Sequence, residues 1–387
     1  MSQPELTEEP TPDQAQQEKA KEYAGLRRHL AFSELALAGA LLLLLVFSGL
    51  SQRIAASFTI PTVPAATLYL AMLMAAYGVL TAPLSYYRGS ILPRRYGLSI
   101  QKFAGWIADE FKAKGLALAL GAGLIAVIYW FITSFPSTWW LLGWGVVVLF
   151  GLILTNLAPV ILIPIFFTMK PLSDTDLSRR LEQLAQRAKT SVRGIYTIEL
   201  SGKGTMANAA LMGLGNTRRI ALSDTLLQQY SPPEIEIITA HELGHHHHSD
   251  IPRSFVIQSA IWLIGFYIAG LALKASATAL GFNGIADVAA IPLLMLVVAA
   301  FSLLIAPLLN TYHRHLETAA DEYALRLTDN PQSFIAAMTK LTDQNLAEAQ
   351  PSRWVELLMY DHPPYNKRVE HARYYSAHRP EQQSEDN

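Results

Sequence analysis

Six stretches of this chain are apolar for about the length a bilayer requires, and the segments between them are polar. Four lie early, at 31–50, 65–85, 115–135 and 139–167, and two late, at 255–274 and 286–309. A helix needs about 20 such residues to cross a hydrocarbon core of about 30 Å, so each stretch predicts a transmembrane helix. Trp130, Trp139, Trp140 and the pair Tyr86–Tyr87 fall at or near segment ends, where amphipathic rings anchor at the membrane interface. The pattern divides the chain into a polar tail (1–28), a four-span membrane domain (29–169), a polar block (170–252), two more spans (253–309), a second polar block (310–376) and a polar tail (377–387) expected to be disordered. Two spans return the chain to the side it left, so the two polar blocks can form one discontinuous domain. Within it, 174–190 has helical periodicity behind a cap at Ser173 or Asp174. The segments 195–200 and 219–222 read as short strands.

Composition agrees. Of 387 residues 51% are hydrophobic and only 16% charged, with mean hydropathy +0.23, values that exclude an ordinary soluble domain. A net charge of −1 gives no sign of a nucleic-acid partner. The absence of cysteine excludes disulfides, thiolate metal sites and a cysteine nucleophile. The first 28 residues lack the short apolar core and small-residue site of a cleaved signal peptide. Lys19, Lys21, Arg27 and Arg28 precede the first span, and Arg88, Arg94, Arg95, Lys102, Lys112 and Lys114 follow the second; the first loop has only Arg53, and the fifth little beyond Lys274. The positive-inside rule then puts both termini and both polar blocks in the cytoplasm, here of a multi-pass protein expected in a bacterial inner membrane. The oligomeric state is left open.

Five of the eleven histidines stand in one run, His241-Glu-Leu-Gly-His245-His-His-His248. Ser231-Pro-Pro-Glu234 ahead of it is a capping box with proline at the first helical position, so a helix starts near Pro232 and passes through the run. Residues four apart share a helix face. His241 and His245 can therefore offer two imidazoles to one ion with Glu242 beside them, the H-E-x-x-H arrangement. Neutral imidazoles hold Zn²⁺ without cancelling its charge, so a water there is acidified towards a pKa of about 7 and Glu242 can take its proton as general base. His246 and His247 turn away from this face. His248 returns towards it, but as a third ligand from the same helix it would be strained. Asp250 reads as a helix-end partner for a neighbouring polar group.

A catalytic zinc site needs a third ligand and an open position. Just beyond the last span, Glu317 and Asp321 are four apart. That suits Glu317 as ligand and Asp321 as the carboxylate orienting a zinc-bound histidine. An acidic stripe on a solvated helix is the plain alternative, and His313 and His315 are rival ligands.

His241-Glu-Leu-Gly-His245 followed by Glu317-Thr-Ala-Ala-Asp321, inside a multi-span chain, resembles the zinc-dependent type I CAAX prenyl proteases and the related HtpX-type membrane metalloproteases. The likeness extends to Asn208-Ala209 with Gly213, to Arg219-Ile220-Ala221-Leu222-Ser223-Asp224-Thr225-Leu226, to Asp361-His362-Pro363-Pro364 with Arg368, and to the basic segment 87–99. It implies one zinc per chain on His241, His245 and Glu317, with Glu242 as base. It implies Asn208 beside the substrate backbone on an edge strand, His362 as donor to the oxyanion, and Arg314 and Arg368 as electrostatic supports, with Arg368 grouped at the substrate site. His246 departs from the aromatic residue often found after this motif, and six spans depart from the seven of the eukaryotic enzymes.

The expected fold is therefore mainly α, with about six transmembrane helices and a discontinuous, gluzincin-like cytosolic zinc protease domain holding a small β-sheet. The expected function is hydrolysis of peptide bonds at the cytoplasmic membrane face, in CAAX-like or prenylated peptides or in membrane proteins under quality control. The contrasting reading is a membrane zinc transporter or buffer, which requires ionisable ligands within the spans; Glu34 and Asn156 are nearly the only candidates.

Overall fold

The structure is a computed structural model describing residues 9–213 and 218–385. Its first part is a set of long apolar helices: α1 (Gln14–Phe47), a short α2 (Leu50–Ala56), α3 (Thr62–Tyr86), α4 (Leu92–Arg95), α5 (Phe103–Ser134), α6 (Trp139–Leu157) and α7 (Ile163–Phe166). Four of the six expected spans are here, α3 and α4 counting as one, and among the described residues six helices in all are long and apolar enough to cross a membrane. Their shared core centres on Tyr69, Tyr129, Ile132 and Trp139. A buried polar group there is satisfied: Ser51 donates to the Ala289 carbonyl and contacts the Tyr69 hydroxyl, each at 2.6 Å.

The polar domain follows as β1 (Met169–Pro171), α8 (Thr175–Arg187), β2 (Ile195–Ile198), β3 (Ala209–Met212), β4 (Arg219–Ser223), α9 (Asp224–Gln229) and α10 (Pro232–His247). Asp174 caps α8 by accepting from the amides of Asp176 and Leu177. The capping box that opens α10 forms, with the Ser231 amide donating to Glu234 at 2.7 Å. The sheet has the order β1-β2-β4-β3, with β2 and β4 parallel and the outer pairs antiparallel. Among the described residues, β3 therefore has one free edge. Two more spans follow, α11 (Asp250–Ser276) and α12 (Ile291–Thr328), then α13 (Pro331–Gln344), α14 (Arg353–Met359) and α15 (Tyr365–Glu385). The polar blocks 170–252 and 310–376 share one core, in which Leu181, Leu222, Ile237 and Phe334 are fully buried.

Two expected boundaries change, and a third is crossed by a continuous helix. The helix of the sixth span does not stop where the second polar block begins: α12 is one helix of 38 residues, about 57 Å long and nearly twice the hydrocarbon thickness. Its far half is the helix carrying Glu317. The N-terminal segment is not a tail from Asp13 onward. Asp13 caps α1, its amide donates to Asp343 at 3.1 Å, Gln17 donates to the Ala347 carbonyl at 3.3 Å, and Arg28 pairs with Glu348 at 2.8 Å. A helix polar all round reads as unstructured when its docking partner lies more than 300 residues away. At the other end α15 continues through the expected tail to Glu385.

Candidate active site

The site lies where α10 crosses α12. The crossing is close because Gly244 and Ala320 meet there: a Cβ on Gly244 would lie 3.1 Å from the Ala320 Cα and 3.2 Å from its carbonyl oxygen. A larger residue at 244 would push α12, and Glu317 with it, away from the histidines. At this separation His241 Nε2 lies 3.2 Å from His245 Nε2, Glu317 Oε2 lies 3.2 Å from His241 Nε2, and Glu317 Oε1 lies 3.3 Å from His245 Nε2. Among the described residues these three are the group of side chains able to hold a metal ion together. His313, a rival from the sequence, lines the adjoining cleft, and His315 is exposed.

A second layer of carboxylates sets the chemistry of the cluster. Asp321 Oδ1 lies 2.8 Å from His241 Nδ1, and Asp250 Oδ2 lies 2.9 Å from His245 Nδ1. A neutral imidazole that donates from Nδ1 presents its lone pair at Nε2. Two Nε2 lone pairs thus face each other at 3.2 Å beside a carboxylate oxygen, Glu317 Oε2, that is buried without a hydrogen bond. Such a group is repulsive unless a proton or a metal ion sits among the atoms. The separations match the edge, about 3.3 Å, of a tetrahedron with metal–ligand bonds of about 2.0–2.1 Å, so the residues fit a small divalent ion. Asp250 is the helix-end partner expected of it, and its partner proves to be a member of the cluster.

The same carboxylates make the site compete for protons. Burial alone would lower the pKa of His241, but the carboxylates of Asp321 and Glu317 beside its two ring nitrogens override it and raise the pKa to about 10. His245 moves the same way, burial again outweighed, here mainly by Glu317. A metal must displace the proton on His241, so at any pH below about 10 its apparent affinity falls as pH falls. Metal titrations between about pH 6 and pH 8 are expected to show affinity rising at least tenfold per pH unit; a constant dissociation constant would contradict these contacts.

Glu242 faces the cleft beside the cluster, and the Leu211 amide approaches its Oε2 at 3.4 Å. Asn208 and Ser223 are hydrogen-bonded partners across β3 and β4, so the alternation of an antiparallel ladder turns the N–H and C=O of Ala209 and Leu211 to the free edge. That edge borders a cavity of about 340 Å³ lined also by Asn208, Glu242, His362 and Arg368. A second cavity, about 490 Å³, continues past Glu242 and His245 to Gln258 and His313. It leads towards an apolar cavity of about 690 Å³ between α5, α6, α11 and α12.

His362 Nε2 lies 3.2 Å from Glu317 Oε1, with Nδ1 2.9 Å from Asp361. The Asp361 hydrogen bond raises its pKa against the effect of burial, which favours a protonated donor at the rim. Arg368 lines the cavity, and its guanidinium acts as the electrostatic support expected of it. Its Nε donates to Asp321 Oδ2 at 2.8 Å and its Nη2 to Oδ1 at 2.5 Å. It therefore neutralises the carboxylate behind His241. Arg314 donates from Nη1 to the carbonyls of Glu356 and Tyr360, at 2.9 and 2.6 Å, tying the segment before His362 to α12. Of the remaining histidines, His247 stacks on Tyr323 with ring centroids 4.6 Å apart, His248 meets the same ring edge-on, and His246 lines the cleft. The transporter reading loses its intramembrane candidates: Glu34 pairs with Arg88 at 2.7 Å, and Asn156 donates to the Leu152 carbonyl.

Comparison with known proteins gives the family and the fold. Residues 171–376 match peptidase family M48, and residues 4–168 match the family described as CAAX prenyl protease N-terminal, five membrane helices. Four candidate spans fall in that second range among the described residues. An uncharacterized metalloprotease of Bacillus subtilis is 28% identical over 361 residues, covering 91% of this chain and 84% of that one. A CAAX prenyl protease 1 homolog of Arabidopsis thaliana is 26% identical over 306 residues, 78% of this chain and 72% of its own length. The crystal structure of Ste24p from S. mikatae shares the fold, with TM-score 0.83 at 22% identity, over 95% of this chain and 92% of that one. With a metal-ligand cluster, a carboxylate beside it and the match across 171–376, the chain belongs to peptidase family M48 and is a multi-pass membrane metalloprotease.

Proposed function

We propose that this protein is a zinc endopeptidase that cuts prenylated, CAAX-like peptides or membrane-associated proteins at the cytoplasmic membrane face. The observation that carries the reading is the juxtaposition of three converging ligand atoms, a neighbouring carboxylate and a free strand edge. His241, His245 and Glu317 would hold the ion. When bound, zinc supplies Lewis acidity, acidifying a water and polarising the scissile carbonyl. Glu242 takes the proton from the attacking water and returns it to the leaving amine. The outward amides and carbonyls of Ala209 and Leu211 pair with the substrate backbone as an added strand, with Asn208 at the end of that edge. His362 donates to the developing oxyanion. Asp321 and Asp250 fix the tautomer and direction of the two histidine ligands. The cytoplasmic placement rests on the Lys/Arg bias of the loops, and a bacterial inner membrane is the proposed host.

The substrate reading rests on two supports. Relatives carry the name CAAX prenyl protease 1, and the cavity of about 690 Å³ among the spans is lined by Ile128, Trp262, Phe266 and Phe301, reaching His313 near the site. An apolar tail on a peptide could occupy it while the peptide lies along β3. One peptide with and without a prenyl group, offered to protein reconstituted in vesicles, tests this. The prenylated form is expected to have the higher kcat/KM, chiefly through KM. Equal values would leave a general endopeptidase, and cleavage of neither form would remove the peptidase mechanism.

A further inference from the structure

Helix α14 is amphipathic in the wrong sense for a surface in water. Its carboxylate Glu356 turns inward, paired with Lys367 at 2.6 Å and lying 3.8 Å from Arg314. Trp354 and Leu358, one turn apart, turn outward and are 72% and 49% exposed, with Met359 beside them at 39%. A helix at an aqueous surface shows its charged face to solvent. This one shows solvent its apolar face.

Its depth is set by two spans. The Asn310 side chain donates to the Leu358 carbonyl at 2.8 Å, and Asn310 ends the apolar run that begins α12 at Ile291. That run is about 28 Å long, one hydrocarbon thickness. On the other side α14 and α1 form a groove of about 230 Å³ lined by Arg28, His29, Phe32, Trp354 and Leu358, at the level where the apolar run of α1 begins. Phe32 is itself 55% exposed. Two independent spans thus enter the bilayer beside α14, with Arg28 and Arg353 flanking its tryptophan. Tryptophan over basic residues at this depth is the composition of a membrane interface.

We propose that α14 is an interfacial helix, seated in the headgroup–acyl boundary of the bilayer through Trp354, Leu358 and Met359. The inference rests on the spans and on the inverted face of α14, and stands or falls independently of the peptidase mechanism. Its consequence is positional: Tyr360, Asp361 and His362 follow the helix directly, so the rim of the active site is tethered to the membrane surface.

The chain has no cysteine, so single substitutions Trp354→Cys and Leu358→Cys can each carry one nitroxide. Arg326→Cys, sixteen residues past Asn310 along α12 and exposed, serves as the aqueous reference. In phospholipid nanodiscs, labels at 354 and 358 are expected to relax more through oxygen than through a water-soluble nickel chelate, and the label at 326 the reverse. Labels at 354 and 358 that behave like the one at 326 would overturn the proposal. A second measurement leaves the helix nearly native. The difference in emission between the unlabelled protein and Trp354→Phe isolates position 354 among the seven tryptophans, and it should shrink in brominated phospholipids; a difference that bromine leaves unchanged would also overturn the proposal.

Discussion

Replacing Glu242 with glutamine is expected to lower peptide cleavage by roughly 10²–10⁴-fold or more while the metal stays bound at about one per chain. The amide keeps the shape of the side chain and an oxygen to accept from the Leu211 amide, the contact seen at 3.4 Å. It cannot take a proton at neutral pH. Glu242 is also outside the ligand group of His241, His245 and Glu317, so ion retention and loss of turnover should separate cleanly. Metal analysis and single-turnover cleavage on the same detergent-purified sample measure both. Unchanged cleavage would sink the mechanism, in which Glu242 is the group that moves that proton.

The second large effect concerns a residue that need not touch substrate at all. Asp321 is 1% exposed, and Arg368 binds both of its oxygens. Removing one partner of such a pair leaves a buried charge uncompensated, at a cost of about 3–5 kcal/mol. Arg368→Met is therefore expected to destabilise the protein by about that amount. It should also weaken metal binding by about 10–100-fold, since the carboxylate orienting His241 loses its anchor. The double variant with Asp321→Asn should regain much of the stability, because no uncompensated charge remains, yet keep the weak affinity. Thermal unfolding and metal titration of the wild type, single and double variants distinguish the outcomes. A double variant as unstable as Arg368→Met would show that lost packing, not stranded charge, is what matters at this position.

Much of this site was legible in sequence because its parts are local. The four-residue steps from His241 to His245 and from Glu317 to Asp321 are properties of a helix, and Ser231 with Glu234 announced where the first helix begins. The spans were legible for the same reason, since a run of about 20 apolar residues is readable wherever it occurs. The resemblance to prenyl proteases supplied what spacing could not: the choice of Glu317 over His313 and His315, and the parts assigned to Asn208 and His362. It supplied Arg368 as an electrostatic support but not its partner, which is Asp321.

What the sequence by itself determined, then, is which side chains share a helix face and which segments cannot remain in water. Only the tertiary structure decided how the faces meet. Gly244 against Ala320 sets the helix separation that brings three ligand atoms within about a tetrahedral edge of one another. Asp250, an unremarkable acid at a helix start, becomes the partner of His245 because Ser249 takes a left-handed backbone conformation between α10 and α11. The polar start of α1 docks on residues 343–349, and α12 carries one span directly into the catalytic domain. Apart from His245 with Asp250, five residues apart, the contacts here join residues far apart in the chain. Helical periodicity is fixed by hydrogen bonds four residues long, whereas pairings of this kind depend on the packing of surfaces that no local window contains.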